Sequence, residues 1–293
     1  MAFPNFLDLK FLPVKEAEAI ILPIPYEATT TYGSGTREAP EAILVASRQV
    51  ELWDEEGGWD PSAVVRLATA SPLSAEVSGP QAMLDKIRKT VQPWVAQGKV
   101  VLALGGEHTI TLALVQAVQT KYPDLQVVAL DAHADLRDSY DGSRLSHACV
   151  LKRVYDLGRP LTILGVRSWS QEESQLLWVA PRLKIFKARN LHSPEGWDQT
   201  LAHLQTLAGP VYVTIDADVF DPGIMPALGT PEPGGLSYYQ VLDILRTVAG
   251  RGPIVGLDLV ELAPIPGHRV SEFTAARVLY KALGYMYQSR RGS

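Results

Sequence analysis

The chain has 293 residues, 46% of them hydrophobic and 20% charged, a composition that excludes intrinsic disorder and supplies a sizeable core. Its formal net charge of −5, with Lys and Arg scattered, offers no electrostatic footprint for nucleic acid or an anionic membrane, so a small-molecule partner is expected. Cys149 is the only cysteine, which rules out an intrachain disulfide and a thiolate zinc cluster and suits a reducing cytoplasm.

Asp8 and Lys10 break the apolar character of the first ten residues, which carry no basic region of the kind that opens a secretion signal. No later apolar run approaches the length of a membrane span. Short apolar runs predict strands at Ala19 to Pro23, Val100 to Leu104, Val127 to Leu130, Leu161 to Val166, Val211 to Ile215 and Ile254 to Leu259. Helical patterns fall between and after them. The first is Pro40 to Trp53, with Ile43, Leu44 and Val50 as its apolar positions, and the second is Gln81 to Ala96, closed by Gly98. Ser170 with Glu173 reads as a capping box opening a helix that carries Leu176, Leu177 and Val179, Ser237 caps Tyr238 to Val248, and a long helix runs around Phe273 to Tyr287. Strands and helices alternate without a linker or a fixed repeat, which predicts one α/β domain over residues 1–293, with a mostly parallel sheet covered by helices on both faces.

Ligands of such sheets bind at the carboxyl ends of the strands. Polar clusters recur at those positions: Gly105-Gly-Glu-His108, Asp131-Ala-His133-Ala-Asp135, Asp216-Ala-Asp218, and Asp258 with Glu261. If the strand geometry persists past Leu130, then Asp131, His133 and Asp135 share a face. The best-placed groups, His108, Asp131, His133, Asp135, Asp216 and Asp218, are four carboxylates and two imidazoles. Four adjacent carboxylates repel one another unless cations neutralise them, and two divalent ions balance that charge. Oxygen-dominated ligation with limited imidazole suits Mn²⁺ better than structural zinc, with Ni²⁺ and Co²⁺ as alternatives. Paired metals at about 3.5 to 4 Å activate water, so hydrolysis is the expected reaction class.

These motifs, together with Ser146-His147-Ala148, Thr214 to Pro222, Gly229-Thr-Pro-Glu-Pro-Gly-Gly235 and Asp258-Leu-Val-Glu261, resemble the ureohydrolases of the arginase and agmatinase superfamily, and most of all the agmatinase branch. The resemblance runs from about Pro23 to the C-terminal helix. It implies a three-layer αβα arginase-like fold, a binuclear manganese centre that removes urea from a guanidino compound, and a homo-oligomer, trimer or hexamer. It also implies His108, Asp131, Asp135 and Asp216 on one metal and Asp131, His133, Asp216 and Asp218 on the other, with Asp131 and Asp216 bridging. A bridging hydroxide then attacks the guanidinium carbon. Asp135 orients it and passes its proton to the departing amine, His147 is the mobile proton shuttle, and Glu261 pairs with the guanidinium. A carboxylate suits that last role on its own chemistry, because a planar guanidinium presents paired donors.

Some residues depart from the family pattern. Glu107 stands where many members have Asp, and Ala227-Leu228 replaces a Pro-Gly or similar pair. Leu136-Arg137-Asp138 replaces the small polar residues with which arginases grip the α-amino and α-carboxylate groups of arginine. Arg167-Ser168-Trp169 again looks like the agmatinase branch.

Several residues are read as structural rather than catalytic. His192, His203 and His268 lie outside the strand-end clusters, Trp53, Trp94, Trp178 and Trp197 sit in helical patterns as core or interface material, and Gly234-Gly235 suits a turn. Cys149 beside His147 gives no nucleophilic pair, since adjacent helical residues diverge.

Agmatine, yielding putrescine and urea, is the first substrate expected. Guanidinobutyrate, aminopropyl-agmatine, formiminoglutamate and guanidine share the chemistry: Asp138 and Asp141 favour a cationic tail, Arg137 and Arg144 a carboxylate. A metal-binding homologue without turnover is opposed by retention of every ligand with His147 and Glu261. A two-metal phosphoesterase is opposed by the lack of basic residues within the motifs.

Overall fold

A computed structural model describes residues 3–176 and 179–288 of the chain. Eight strands form one sheet: β1 (Ala19–Ile24), β2 (Leu67–Thr69), β3 (Val100–Gly105), β4 (Gln126–Leu130), β5 (Leu161–Val166), β6 (Leu183–Lys187), β7 (Val211–Asp216) and β8 (Ile254–Val260). Their order is β2-β1-β3-β8-β7-β4-β5-β6, and every pairing is parallel. Parallel strands need crossovers, and these place helices over both faces, giving the three-layer αβα arrangement expected from the alternating pattern.

Alternation along each strand divides the core in two. Val128 and Leu130 join one apolar cluster with Ile43, Leu44, Val241, Leu245 and Leu279, while Val127 and Ala129 join the other with Met83, Ile87, Leu114 and Val154. Because both faces are covered, β1, β5, β7 and β8 are buried along their whole length.

All six predicted strands are present. β2 and β6 were not predicted: β2 has three residues, and β6 (Leu-Lys-Ile-Phe-Lys) is an edge strand with two lysines. The helix Ile110–Gln119 was also missed, because it is buried nearly all round and shows no polar face. The helix predicted from Pro40 to Trp53 is Ala39–Ser47. It stops where the Ser47 hydroxyl donates to the Leu44 carbonyl and accepts the Leu7 amide, while Gln49 and Val50 turn back to Ala46 and Ser47. Pro80–Ala96, Tyr238–Ala249 with its Ser237–Gln240 capping box, and Val270–Met286 agree with expectation to within a few residues. Glu173 and Ser170 do cap the helix Gln171–Leu176, whereas Leu177 and Trp178 lie outside the described residues. Trp53, read as core or interface material in a helical pattern, lies beyond the helix end and is 61% exposed, so it is not core.

Candidate active site

The strands β3, β8, β7 and β4 occupy the middle of the sheet, and their carboxyl ends form the floor of the site. At the end of β3 the chain passes Gly106, where a Cβ would stand 2.0 Å from the Tyr26 carbonyl oxygen, so only glycine fits. His108 follows, fully buried. Its Nδ1 lies 3.3 Å from Asp131 Oδ2, 3.2 Å from Asp135 Oδ2 and 3.2 Å from Asp216 Oδ2. On the adjoining side, His133 Nδ1 is 2.8 Å from Asp218 Oδ2 and 3.9 Å from Asp131 Oδ1. Two donor sets result, His108–Asp131–Asp135 and Asp131–His133–Asp218, each with its ligand atoms within 4.8 Å of one another and sharing Asp131. Asp216 adjoins the first through His108.

The strand geometry expected for Asp131 to Asp135 holds only in part. β4 ends at Leu130, and Asp135 reaches the cluster in a left-handed conformation, φ +49°. Glu261 is likewise left-handed, φ +62°, with its amide on the Gly106 carbonyl. Such a backbone is costly for a side chain like Glu, and here the surrounding structure holds two pocket-lining carboxylates in it. The Glu261 carboxylate accepts the His108 amide at 2.5 Å and lines the pocket.

The charges are mutually dependent. Burial first, then Asp135 and Asp218, push the Asp131 carboxyl up to about 7, and burial with Asp218 and Asp131 drives Asp216 well up. Burial opposes the charge on His133, but Asp218, Asp131 and Asp135 outweigh it and raise the imidazole to about 11. His108 is raised for the same reason by Asp131, Asp135 and Asp216, again against burial. Asp218 also loses stability of its charge to burial, yet His133 pulls it below the usual range. Burial, with Glu107, raises Glu261 to about 8. Carboxylates and imidazoles packed this closely perturb one another's charge, as a set of cation ligands does.

Asp258 corrects one expectation. It does not stand on the rim but lies inside β8, fully buried, where Tyr212 and Thr214 donate to it at 2.6 Å each and Thr111 at 3.0 Å. Thr214 in turn lies 3.0 Å from His108 Nε2. The Tyr212 and Thr214 hydroxyls inside an otherwise apolar strand were the available clue, since buried polar groups need partners. Two further residues went unassigned from sequence. Arg167 donates to the carbonyls of Asp218, Glu232 and Pro233, fastening the loop after Gly229 to the turn at Asp218, and Glu232 Oε1 lies 3.9 Å from His133 Nε2. Gly234, φ +82°, serves the turn as read.

The pocket above this floor has a volume of about 220 Å³. Thr31, Arg137, Tyr140, His147, Trp169 and Glu173 are among its walls. Arg137 lies over the Tyr140 ring at 5.2 Å and 3.9 Å from Glu173, so its charge already has partners. Asp138, Asp141 and Arg144 are absent from the lining; Asp138 is bound by Arg144 at 2.9 Å and Arg153 at 2.6 Å. Cys149 is buried, its thiol pushed up to about 11 by that burial and by Asp135, and it hydrogen-bonds the Ser143 carbonyl. His203 bonds Thr162 and His192 the Gly234 carbonyl, away from the floor.

The donor chemistry fits a pair of hard divalent cations. His108 Nδ1 and Asp131 Oδ2 are buried without a hydrogen-bond partner among the described residues, 3.3 Å apart, with the Asp135 and Asp216 carboxylates each 3.2 Å from the same nitrogen. An open parallel sheet carrying a carboxylate and imidazole floor beneath a small polar pocket defines a hydrolase acting on small molecules. The sequence profile of the Arginase family matches residues 17–284. The chain belongs to that family and is an amidinohydrolase, acting on guanidino C–N bonds.

Similar proteins include the N(1)-aminopropylagmatine ureohydrolase of Synechocystis sp., 42% identical over 94% of this chain and 91% of that protein. The agmatinase of Pyrococcus horikoshii is 33% identical over 95% of each chain. The crystal structure of agmatine ureohydrolase of Thermoplasma volcanium superposes with a TM-score of 0.86 at 29% identity, covering 96% of this chain and 93% of that one. Among the described residues, no helix is long and apolar enough to cross a membrane.

Proposed function

We propose that the chain is a ureohydrolase for a guanidinoalkylamine, agmatine or its N(1)-aminopropyl derivative, acting as one catalytic domain with two Mn²⁺ ions. The observation that carries the reading is the pair of donor sets sharing Asp131, with the Glu261 carboxylate beside them in the same pocket. His108, Asp131, Asp135 and Asp216 would hold one ion, and Asp131, His133, Asp216 and Asp218 the other. When bound, the ions supply Lewis acidity and a water made acidic enough to act at neutral pH.

The protein side chains do the rest. Glu261, fixed by the His108 amide, binds the guanidinium through its remaining oxygen, and the arriving cation keeps the carboxylate ionised despite its burial. Asp135, aimed by its left-handed backbone, holds the proton that water loses. Asp135 passes that proton to the alkyl nitrogen as the C–N bond breaks, and His147, in the pocket wall, relays the second, released as the former water oxygen becomes the urea carbonyl. The sum is R–NH–C(NH₂)₂⁺ plus water giving R–NH₃⁺ and urea, which balances in atoms and charge.

The names of the relatives favour a cationic tail over a carboxylate. Arg137 is engaged with Tyr140 and Glu173, and Arg144 with Asp138, so neither guanidinium waits for an anion, while Asp138 and Asp141 lie off the pocket. Between the two amines, the relative with 42% identity carries the aminopropyl name and the relative with 33% the agmatinase name, which puts aminopropylagmatine first. Urea release from agmatine, N(1)-aminopropylagmatine, guanidinobutyrate and arginine, measured after Mn²⁺ loading, tests this. A higher kcat/KM for guanidinobutyrate than for either amine would refute the substrate assignment.

A further inference from the structure

The side chains behind His147 form a chain of their own. The carboxylate of Glu107, fully buried, accepts the backbone amides of Ala28 and Thr29 on Oε2, each at 2.6 Å, and the Thr29 hydroxyl lies 3.1 Å from Oε1. The same hydroxyl oxygen lies 3.1 Å from His147 Nδ1 and accepts the His147 backbone amide at 3.0 Å. One hydroxyl carries one proton, so it donates either to Glu107 or to His147. The carboxylate is the stronger acceptor, because a charge-assisted hydrogen bond is about twice as strong as a neutral one. With the proton so directed, the remaining lone pair of Thr29 requires a donor at Nδ1. Ser146 Oγ, 3.3 Å from Nδ1, is a further hydroxyl oxygen available to that N–H, and the edge of Tyr140, 6.1 Å between centroids, limits rotation of the ring.

We propose that Glu107 and Thr29 are positioning residues for the reaction: they hold the proton of neutral His147 on Nδ1 and leave Nε2 for the pocket that His147 lines. This rests on the reading of His147 as the proton carrier. In each turnover Nε2 takes up one proton and gives up one, while Nδ1–H stays on Thr29, so the imidazole returns unchanged. Loss of the hydroxyl frees the ring to flip or to take the other tautomer, which slows proton transfer without removing a contact to substrate. The same threonine ties the segment at residues 28–29 to Glu107, so the loop bearing Thr31 and the histidine share one anchor.

The test uses Thr29→Val, which keeps the shape of the side chain and removes its hydroxyl, Thr29→Ser, which restores the hydroxyl, and each in combination with His147→Ala. Thr29→Val is expected to lower kcat about 10- to 100-fold with KM within about twofold, the usual scale for a residue orienting a proton carrier. Thr29→Ser should recover most of that loss. In the His147→Ala background Thr29→Val should change little; a full additional loss there would overturn the proposal by showing that Thr29 acts elsewhere. A readout independent of turnover is the ¹⁵N spectrum of His147 in the Zn²⁺-loaded protein: Nδ1–H in the wild type, lost in Thr29→Val, supports the relay, and Nε2–H in the wild type overturns it. If His147→Ala hydrolyses substrate at the wild-type rate, the proton-carrier reading fails, and the spectrum alone still decides whether the relay exists.

Discussion

Thr214 joins His108 to the sheet: its hydroxyl donates to Asp258 at 2.6 Å and, 3.0 Å away, can only accept from His108 Nε2. The imidazole is thereby held with Nδ1 toward Asp131, Asp135 and Asp216. Partners of this kind fix the ring and are worth about 10- to 100-fold in metal affinity. Thr214→Val is therefore expected to weaken metal retention by that factor while leaving the fold intact. Metal content after graded dialysis checks it, and wild-type retention would show that the hydroxyl does not orient the ligand.

Asp131 belongs to both donor sets, so Asp131→Ala should release both ions. Elemental analysis showing one ion per chain would mean that the two sites are independent.

Metal loading should release protons. His108 and His133 are raised by the carboxylates around them, His133 to about 11, and Asp131 to about 7, so the metal-free cluster is protonated at pH 7. A cation binds the neutral imidazole and the ionised carboxylate, which expels those protons. The sign follows: affinity for Mn²⁺ rises with pH, and calorimetric heats depend on the ionisation enthalpy of the buffer. Heats equal in phosphate and Tris would contradict the protonation assigned here.

Glu261→Gln keeps shape and the acceptor oxygen for the His108 amide but removes the charge that pairs with a guanidinium. Metal content should survive, and kcat/KM for the amine substrate should fall steeply through lost binding and orientation. Loss of metal instead would make Glu261 a ligand. His147→Ala should likewise keep metal, with hydrolysis slowed by about 10² to 10⁴.

Away from the site, Lys281 is 2% exposed and pairs with Asp54 at 2.6 Å, Glu55 at 3.0 Å and Glu56 at 3.5 Å. Removing one partner of a buried ion pair leaves uncompensated charge, at a cost of about 3 to 5 kcal/mol. Lys281→Met should lower stability by that amount in urea unfolding. A change below about 1 kcal/mol would mean that water reaches the acids.

Two properties of the chain were legible without coordinates. Apolar runs of strand length, alternating with helical patterns, are set by local burial, and they predicted the six strands that lie between the two edge strands, and helices on both faces of the sheet. The clustering of His108, Asp131, His133, Asp135, Asp216 and Asp218 was legible because parallel sheets gather their carboxyl ends, so motifs distant in sequence share one rim. The tertiary structure alone decided the rest. Asp258 follows the same sequence logic as its neighbours but sits two residue rows inside the row of Asp216, where Tyr212, Thr111 and Thr214 satisfy it, because strand register is a property of pairs of strands. Thr29 carries no local signal, one hydroxyl in the run Thr29-Thr30-Thr31, and gains its place beside His147 from a loop anchored by Glu107 across 78 residues of chain. A side chain's residue type fixes what it can bond to; which partner comes within reach is set by long-range packing, and that is not written in any one segment.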